Sequence, residues 1–213
     1  SIATVRWTQR GFARARGAVA SDATPRNLLG QVDGTVNPAP GTEDFAQVVW
    51  ASDGPAWWHG GTMLVVRRMR MDLDRWERLG RVDRELVVGR RLGDGSPLTG
   101  GLERDTVDLA AVDGDGLPVV PEAAHVRVAR AQSPAERFLR RGFTYDDTAE
   151  AGGDAGHIFC ALMADVERQF LPVARRIAAG DLLNAWVTPV GSAVFALLPG
   201  AAPGERLGAG LPL

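Results

Sequence analysis

The sequence contains no lysine and only one cysteine, Cys160, in 213 residues. All 24 basic side chains are therefore arginines, which excludes mechanisms that need a lysine, such as Schiff-base formation or phosphate-loop nucleotide binding. A single cysteine allows neither a disulfide within the chain nor a cysteine-based metal cluster. The chain thus lacks the residues for several common catalytic and metal-binding strategies.

A strong net charge and a long apolar run are also missing. The net charge is -2, whereas nucleic-acid-binding proteins usually carry a basic excess. No apolar run approaches the ~20 residues that span a bilayer. With 45% hydrophobic and 23% charged residues, the composition is typical of a globular domain rather than of a disordered chain. We expect one domain, or two small ones, with no nucleic-acid partner and no membrane span.

The first ten residues show neither the charged region nor the apolar region of a secretory signal peptide. The side chains of residues 2–7 alternate in type, which predicts a strand. A chain that begins inside a strand is interpreted as a piece of something longer, by processing or by truncation.

Turn residues and apolar periodicity predict the remaining elements. The predicted strands are residues 60–71, 157–163 and 192–198, and the predicted helices are residues 73–79 after Asp72, 82–91, and 165–178 with Asp165 as N-cap and Gly180 as the stop. Residues 94–122, rich in Gly, Pro and Asp, are predicted to be weakly ordered. The order of elements predicts an α+β domain in which helices cover one face of an antiparallel sheet.

The three histidines, His59, His125 and His157, offer few metal sites. Zinc needs three or four protein ligands, whereas haem needs one axial histidine because the porphyrin supplies the other four nitrogens. His59, in a turn, and His157, at the start of a strand, are interpreted as structural. His125 is followed by Arg127, Arg130 and Arg140 and is the candidate for haem, with a structural role left open.

Asp33 stands in Gly30-Gln-Val-Asp-Gly34, within a loop at residues 21–42 that is longer than a simple connection needs. The flanking glycines allow a flat ligand to approach closely, although an ordinary Asp-Gly turn explains the same pattern. The segment does not fit the dinucleotide-binding fingerprint, because no strand precedes it and no helix follows. For Arg140-Arg141, an exposed helix face is the plain alternative to a functional role.

Five segments, taken together, resemble the dye-decolourising peroxidases, a haem family that includes deferrochelatase-like enzymes. The resemblance extends over almost the whole chain, and the five occur in the family's order. They are RWTQRGF at residues 6–12, RNLLGQVDGTVNP at residues 26–38 with the GxxDG loop, HVRVAR at residues 125–130, LRRGFTY at residues 139–145, and HIFC at residues 157–160 with RQF at residues 168–170 and VTPVGSAVF at residues 187–195.

The resemblance implies a fold and a domain organisation. The family consists of two ferredoxin-like halves, with haem mainly in the second. Residues 1–213 resemble that second half, a ferredoxin-like antiparallel sheet with helices on one face, together with the joining strand and the distal GxxDG loop. The N-terminal half is absent from this chain and is an expected partner.

The resemblance also implies roles for individual residues. His125 is the expected axial ligand of the haem iron, and its second ring nitrogen should bond a carboxylate or carbonyl. Asp181 is the candidate for that carboxylate, and Asn184 is the other aligned position. Asp33 is the expected distal acid and base, and Arg140 is expected to stabilise negative charge as the O–O bond breaks.

Further haem contacts follow from the same alignment. Gly142 occupies a position where some members carry a distal Asn, so that hydrogen bond is absent. At residues 130–132 the sequence departs from Asn-Pro-Arg, which is commoner in the family at these positions. Arg127 or Arg130 is therefore expected to contact a haem propionate instead. The other expected contacts are Gly34, Thr35 and Val36 in the distal loop, Arg130, Ala131 and Gln132 behind the histidine, and Phe195 as an apolar wall of the distal pocket.

The implied function is a haem b peroxidase that uses hydrogen peroxide to oxidise dyes and phenolic compounds, with an organic reductant as the second substrate. The alternatives are a haem-binding or iron-acquisition protein with little turnover, and a binding module that has lost the cofactor. Tyr145 is the preferred candidate for a surface relay of oxidising equivalents, homo-oligomerisation is left open, and export by the twin-arginine route is expected, with a cytoplasmic location as the alternative.

Overall fold

The structure, a computed structural model, describes residues 4–13, 24–33, 36–208 and 210–212. Its centre is an antiparallel sheet of four strands: β1 (Thr62–Met71), β2 (Leu139–Asp146), β3 (Ala155–Met163) and β4 (Val187–Leu197). The strand order is β2-β3-β1-β4, so β1 pairs with both β3 and β4. This sheet with its helices confirms the predicted α+β, ferredoxin-like fold.

The described residues also form five short helices: α1 (Glu43–Val49), α2 (Leu73–Glu77), α3 (Arg81–Val88), α4 (His125–Val128) and α5 (Leu171–Gly180). Single 3-10 turns lie at Ala56–Trp58, Pro134–Glu136 and Leu182–Ala185, and a π-helical turn at Val166–Phe170 leads into α5. Asp72 and Asp165 are N-caps as predicted, since their carboxylates accept backbone N–H groups of the following turn. Pro172 in the first turn of α5 separates the π-helical turn from the α-helix.

Strand β2 was not among the predicted elements. Its sequence, LRRGFTYD, lacks the alternation of a half-buried strand, and it becomes a strand by pairing over its full length with β3. An exposed helix face for Arg140 and Arg141 is therefore wrong. Strand β4 begins at Val187 rather than residue 192, and a register shift opposite Arg68 and Met69 accommodates its early proline and glycine.

Two other predictions need correction. Residues 4–11 form no strand, and only Phe12 makes an isolated bridge, to Thr144; the start of the strand predicted at residues 2–7 lies outside the described residues. The segment at residues 94–122 is not weakly ordered, because Val107 and Val120 in it form a buried cluster with Ala124.

One face of the sheet is packed against the α5 region. Val65, Ala161 and Met163 are fully buried there and contact Val166 and Phe170 of the π-helical turn. A second cluster centres on Trp76, which is buried with Leu29 and Val87. The apolar core thus fixes both the helix above the sheet and the loop that carries Asp33. Within the described ranges, no helix is long and apolar enough to cross a membrane.

Candidate functional site

A cavity of about 600 Å³ lies between the sheet face that carries Arg67 and Met69, the α5 region and the loop at residues 24–33. Its size falls in the range of small-molecule and cofactor pockets, ~300–1,000 Å³. The walls are largely apolar, and the larger apolar side chains among them are Phe12, Met69, Met71, Phe138, Phe143, Phe159, Phe170, Val173, Ile177, Leu183 and Val187. His125, Asp33 and Arg140 line this same cavity, so the fold brings together the residues that the sequence analysis emphasised.

His125 lies at the start of α4 and is oriented by a buried carboxylate. Its Nδ1 is 2.6 Å from Oδ2 of Asp181, whose side chain is completely buried. The other carboxylate oxygen of Asp181 accepts the backbone N–H of Leu183 at 2.9 Å. An ionised carboxylate accepts hydrogen bonds only, so Nδ1 carries the proton and Nε2 is left as the nitrogen available to a ligand.

Asn184, the alternative partner of His125, is engaged elsewhere. Its Nδ2 donates to the carbonyl oxygen of Ile177 at 2.7 Å. The structure thus pairs Asp181, rather than Asn184, with His125.

One helical turn is not stable alone. Hydrogen bonds with neighbouring segments therefore stabilise α4. Arg176 of α5 donates to the carbonyl oxygen of Arg130 at 2.8 Å, and the backbone N–H of Leu182 donates to Ala123 at 2.9 Å. From the other side, Nη2 of Arg127 donates to the carbonyl oxygens of Leu109 and Val120 at 2.9 and 2.7 Å. The position of His125 therefore depends on α5 and on the 94–122 segment.

Asp33 ends a tightly closed loop. The backbone N–H of Asp33 donates to Pro25 at 3.0 Å, and Arg26 forms a bridge with Val32. Within the loop, Oδ1 of Asn27 accepts the backbone N–H groups of Leu29 and Gln31. A second set of bonds ties the loop to the body of the protein, since the Trp76 indole donates to Leu29 and the Arg26 guanidinium donates to Leu92 and Gly93.

Arg140 projects from β2 into the cavity, and its backbone is bound to the distal loop. Asn37 makes two bonds of 2.9 Å with it: Nδ2 donates to the Arg140 carbonyl, and Oδ1 accepts the Arg140 N–H. Asn37 was not among the predicted site residues. Reciprocal amide pairing of this kind holds Asn37, four residues after Asp33, against the strand that carries Arg140.

Four arginines line the cavity: Arg26, Arg67, Arg140 and Arg141. Burial lowers the pKa of the Arg67 guanidinium, so an anionic group beside it would relieve an unfavourable environment. A flat apolar ligand with carboxylates fits this combination of apolar walls and arginines. Haem, with its two propionates and an iron that takes one histidine, is such a ligand, and the residues present fit it.

Not all of the expected haem contacts are found in the lining of the cavity. For Gly34 and Thr35 this is not tested, because both are outside the described residues. Val36 is 63% exposed, and Arg130, Ala131 and Gln132 are exposed and do not line the cavity. Arg127 is also absent from its lining, because its guanidinium is bound to Leu109 and Val120, as described above.

Phe195 does not form a wall of the cavity, and that expectation is wrong. It pairs with Leu64 of β1, an odd number of residues from Arg67, and side chains alternate between the two faces of a strand. Phe195 therefore belongs to the opposite face of the sheet, where it is 49% exposed.

Tyr145 is not a surface residue. It is completely buried beneath Arg68, whose guanidinium carbon lies 4.2 Å from the ring centroid. Burial raises the pKa of Tyr145 to about 12. A surface relay through this tyrosine is therefore wrong for this structure.

The apolar periodicity that predicts the helix at residues 165–178 places Phe170, Val173 and Ile177 on one face, and all three line the cavity. A second histidine of the cavity was not recognised from the sequence. His157, interpreted as structural, also lines the cavity. Among the described residues, no group of three or more metal-ligating side chains occurs.

Comparisons with known proteins identify the family of this chain. The family model described as "Dyp-type peroxidase, C-terminal" matches residues 24–202. The chain is 46% identical to a dye-decolorizing peroxidase of Thermobifida fusca (strain YX), covering 96% of this chain and 49% of that protein. It is 35% identical to a deferrochelatase of Yersinia pseudotuberculosis serotype I, covering 94% of this chain and 48% of that protein.

A solved structure shows the same architecture. The crystal structure of the DyP-type peroxidase from Cellulomonas bogoriensis superimposes with a TM-score of 0.89 at 48% identity, covering 96% of this chain and 57% of that one. The chain thus spans about half the length of the curated relatives it matches. It belongs to the DyP-type peroxidase family and corresponds to the C-terminal region of its members.

Proposed function

We propose that this chain forms the haem-binding part of a peroxidase that uses hydrogen peroxide to oxidise dyes and phenolic compounds. The observation that supports it best is one cavity that holds a carboxylate-oriented histidine together with Asp33 and Arg140. DyP-type peroxidases bind haem, and haem b is the form proposed here. The apolar walls and the cavity arginines would hold its ring and propionates.

In this proposal, His125 would bind the iron through Nε2, and Asp181 would hold the imidazole in the correct tautomer. When bound, haem would supply the redox chemistry of the reaction. The carboxylate of Asp33 accepts a proton from peroxide and returns it to the leaving oxygen. The positively charged guanidinium of Arg140 stabilises negative charge on the oxygen atoms.

The proposed function is tested by adding haem, and then peroxide with a dye, to the chain together with the N-terminal half that its relatives carry. We expect a Soret band typical of histidine-ligated haem, and bleaching of the dye that needs both peroxide and the cofactor. A protein that takes up no haem, or that takes up haem and leaves dye and peroxide unchanged over many equivalents, would contradict the proposal.

A second candidate is haem binding or iron acquisition with little turnover, which the similarity to deferrochelatases favours. The same cavity would serve it, because holding haem needs the histidine and the apolar walls but no distal acid and base. Release of iron from bound haem without sustained dye oxidation would favour this candidate. Export by the twin-arginine route and the cytoplasmic alternative remain predictions.

The N-terminal half that the relatives carry is the proposed partner of the exposed sheet face. Phe195 and Leu197 of β4 pair with Leu64 and Thr62, lie on the same face of the sheet and are 49% and 37% exposed, and exposed apolar side chains grouped in this way often mark an interaction surface. We expect the chain alone to bind a hydrophobic dye such as ANS and to hold haem weakly. Adding the N-terminal half should abolish the ANS signal and strengthen haem binding.

A matched pair of variants makes that test specific. Phe195→Glu should prevent association with the N-terminal half, because it places a charge in the buried interface. Leu117→Glu is the control, since Leu117 is 62% exposed in a loop away from the sheet. Equal association of both variants, or full peroxidase activity of the chain without any partner, would contradict the proposed interface.

A further inference from the structure

His157 is a buried polar group that the functions assigned above do not use. It projects from β3 onto the cavity face of the sheet, where its side chain is 13% exposed. Within the described part of the chain, its Nδ1 is buried without a hydrogen-bond partner. Its Nε2 faces Oδ2 of Asp33 at 3.9 Å. A histidine that only filled the core would not direct one ring nitrogen at the carboxylate in the cavity.

A glycine on the neighbouring strand makes room for this imidazole. Gly142 of β2 lies diagonally across from His157, since Thr144 pairs with His157 and Gly142 pairs with Phe159. A Cβ atom at Gly142 would collide with Cε1 and Nε2 of the His157 ring. The strand that carries Arg140 therefore has no side chain at the position where the imidazole of β3 approaches the cavity.

The surroundings favour one protonation state of His157. Burial lowers its pKa, the Asp33 carboxylate acts in the opposite direction, and the Arg140 guanidinium lowers the pKa further. These are the charged groups that act on the ring from the distal loop and from β2, while Met69 is its neighbour on β1. The imidazole is therefore neutral at neutral pH. Because a buried N–H without an acceptor is costly, its proton belongs on Nε2 rather than on Nδ1.

The gap between the two groups suits a small ligand. At 3.9 Å, Nε2 of His157 and Oδ2 of Asp33 are too far apart for a direct hydrogen bond. One oxygen atom can lie at about 2.8 Å from both, which is an ordinary hydrogen-bond length. Nε2–H would donate to that oxygen, and the Asp33 carboxylate would accept its proton.

We propose that His157 is a third polar residue of the peroxide-binding site, where it donates a hydrogen bond from Nε2 to the same peroxide oxygen whose proton Asp33 accepts. This assignment rests on the proposed peroxidase function. The proton leaves the peroxide oxygen and goes to Oδ2 of Asp33, while His157 keeps its own proton. His157 thus orients peroxide, and Gly142 allows it to do so.

Protonation of His157 makes the proposed binding of peroxide depend on pH. Burial holds the pKa of His157 in the folded protein below its ordinary value, so the neutral ring predominates at neutral pH and above. As the pH falls from there through the folded pKa, the ring becomes an imidazolium that pairs with Asp33 and competes with peroxide for the carboxylate. Peroxide binding should weaken over that interval.

The test compares three variants at matched haem content. His157→Leu removes the donor, His157→Gln retains an N–H donor on a side chain of similar reach, and Gly142→Ala keeps the imidazole but displaces it. Gly191→Ala is the matched control, because a Cβ there makes only an ordinary contact of 3.8 Å with Arg68. We expect His157→Leu and Gly142→Ala to raise KM for peroxide about two- to tenfold, as for one lost hydrogen bond, with a smaller change in kcat. His157→Gln should recover most of the loss.

A second measurement does not depend on turnover. Nitrogen-15 NMR of the histidine rings should show His157 as the Nε2–H tautomer, and Asp33→Asn should lower its pKa, because the carboxylate that favours the imidazolium is removed. If the wild type oxidises dyes and His157→Leu has an unchanged KM, or if Asp33→Asn leaves the pKa of His157 unchanged, the assignment of His157 is overturned while the peroxidase function stands. A wild type that consumes no peroxide overturns both.

Discussion

The His125→Ala variant is expected to lose haem when the wild type retains it through desalting. His125 is the histidine whose Nδ1 is fixed on a buried carboxylate, so that Nε2 is left for the iron. Without it, only the apolar walls and the arginines hold the cofactor. The ratio of haem to protein and the position of the Soret band, measured after desalting, report the loss directly.

Two further variants provide reference values for this loss of haem. Asp181→Asn keeps the shape of the partner but removes its charge, and changes to such supporting residues typically cost ~10–100-fold in metal affinity or activity. We expect its haem affinity to lie between those of the wild type and His125→Ala. His59→Ala is the control, because His59 bonds the Gly54 carbonyl at 3.0 Å and does not line the cavity. Unchanged haem content and an unchanged spectrum in His125→Ala would overturn its assignment as the ligand.

The Arg140→Leu variant is expected to slow the first reaction with peroxide by ~10²–10³-fold, the usual effect of removing a donor aimed at developing negative charge. The effect should change little with pH, since a guanidinium stays protonated. Asp33→Asn should also slow this reaction, but its effect should depend on pH, because a carboxylate accepts a proton only when it is ionised. We expect Arg140 to contribute the larger factor.

Stopped-flow mixing with peroxide across a pH series measures both variants at matched haem content. Arg104→Leu makes the same chemical change at an exposed position outside the cavity and should behave like the wild type. A role for Asp33 in merely closing its loop predicts lower haem occupancy with a normal rate at full occupancy. Wild-type rates in both Arg140→Leu and Asp33→Asn would show that neither residue has the proposed role.

The sequence predicted those parts of the fold that local patterns determine. The N-caps Asp72 and Asp165 and the centre of β1 follow from side-chain chemistry and periodicity within a few residues. Strand β2 could not be predicted in this way, because its strand structure comes from pairing with β3, and Gly142 and two arginines hide its alternation. Secondary structure that depends on pairing with another strand cannot be predicted from the residues of one strand alone.

The candidate site, too, could be predicted only in part from the sequence. Resemblance to a family led to His125, Asp33 and Arg140, which the fold brings into one cavity. It misplaced Phe195, since the face of a strand depends on register, and register depends on which neighbour it pairs with. His157 and Asn37 were missed because their partners lie more than 100 residues away in the chain, and no local pattern records such a contact.

The anchoring of α4 matters for anyone who wishes to transplant this site into another scaffold. A graft of the cavity walls alone would copy His125 and Asp181 but leave behind Leu109 and Val120, whose carbonyl oxygens hold Arg127 two residues after the histidine. This turn-rich segment does not line the cavity, yet it holds the helix that carries His125 in place. Natural or designed changes in its length would tilt the imidazole and so tune the cofactor without altering any residue that touches it.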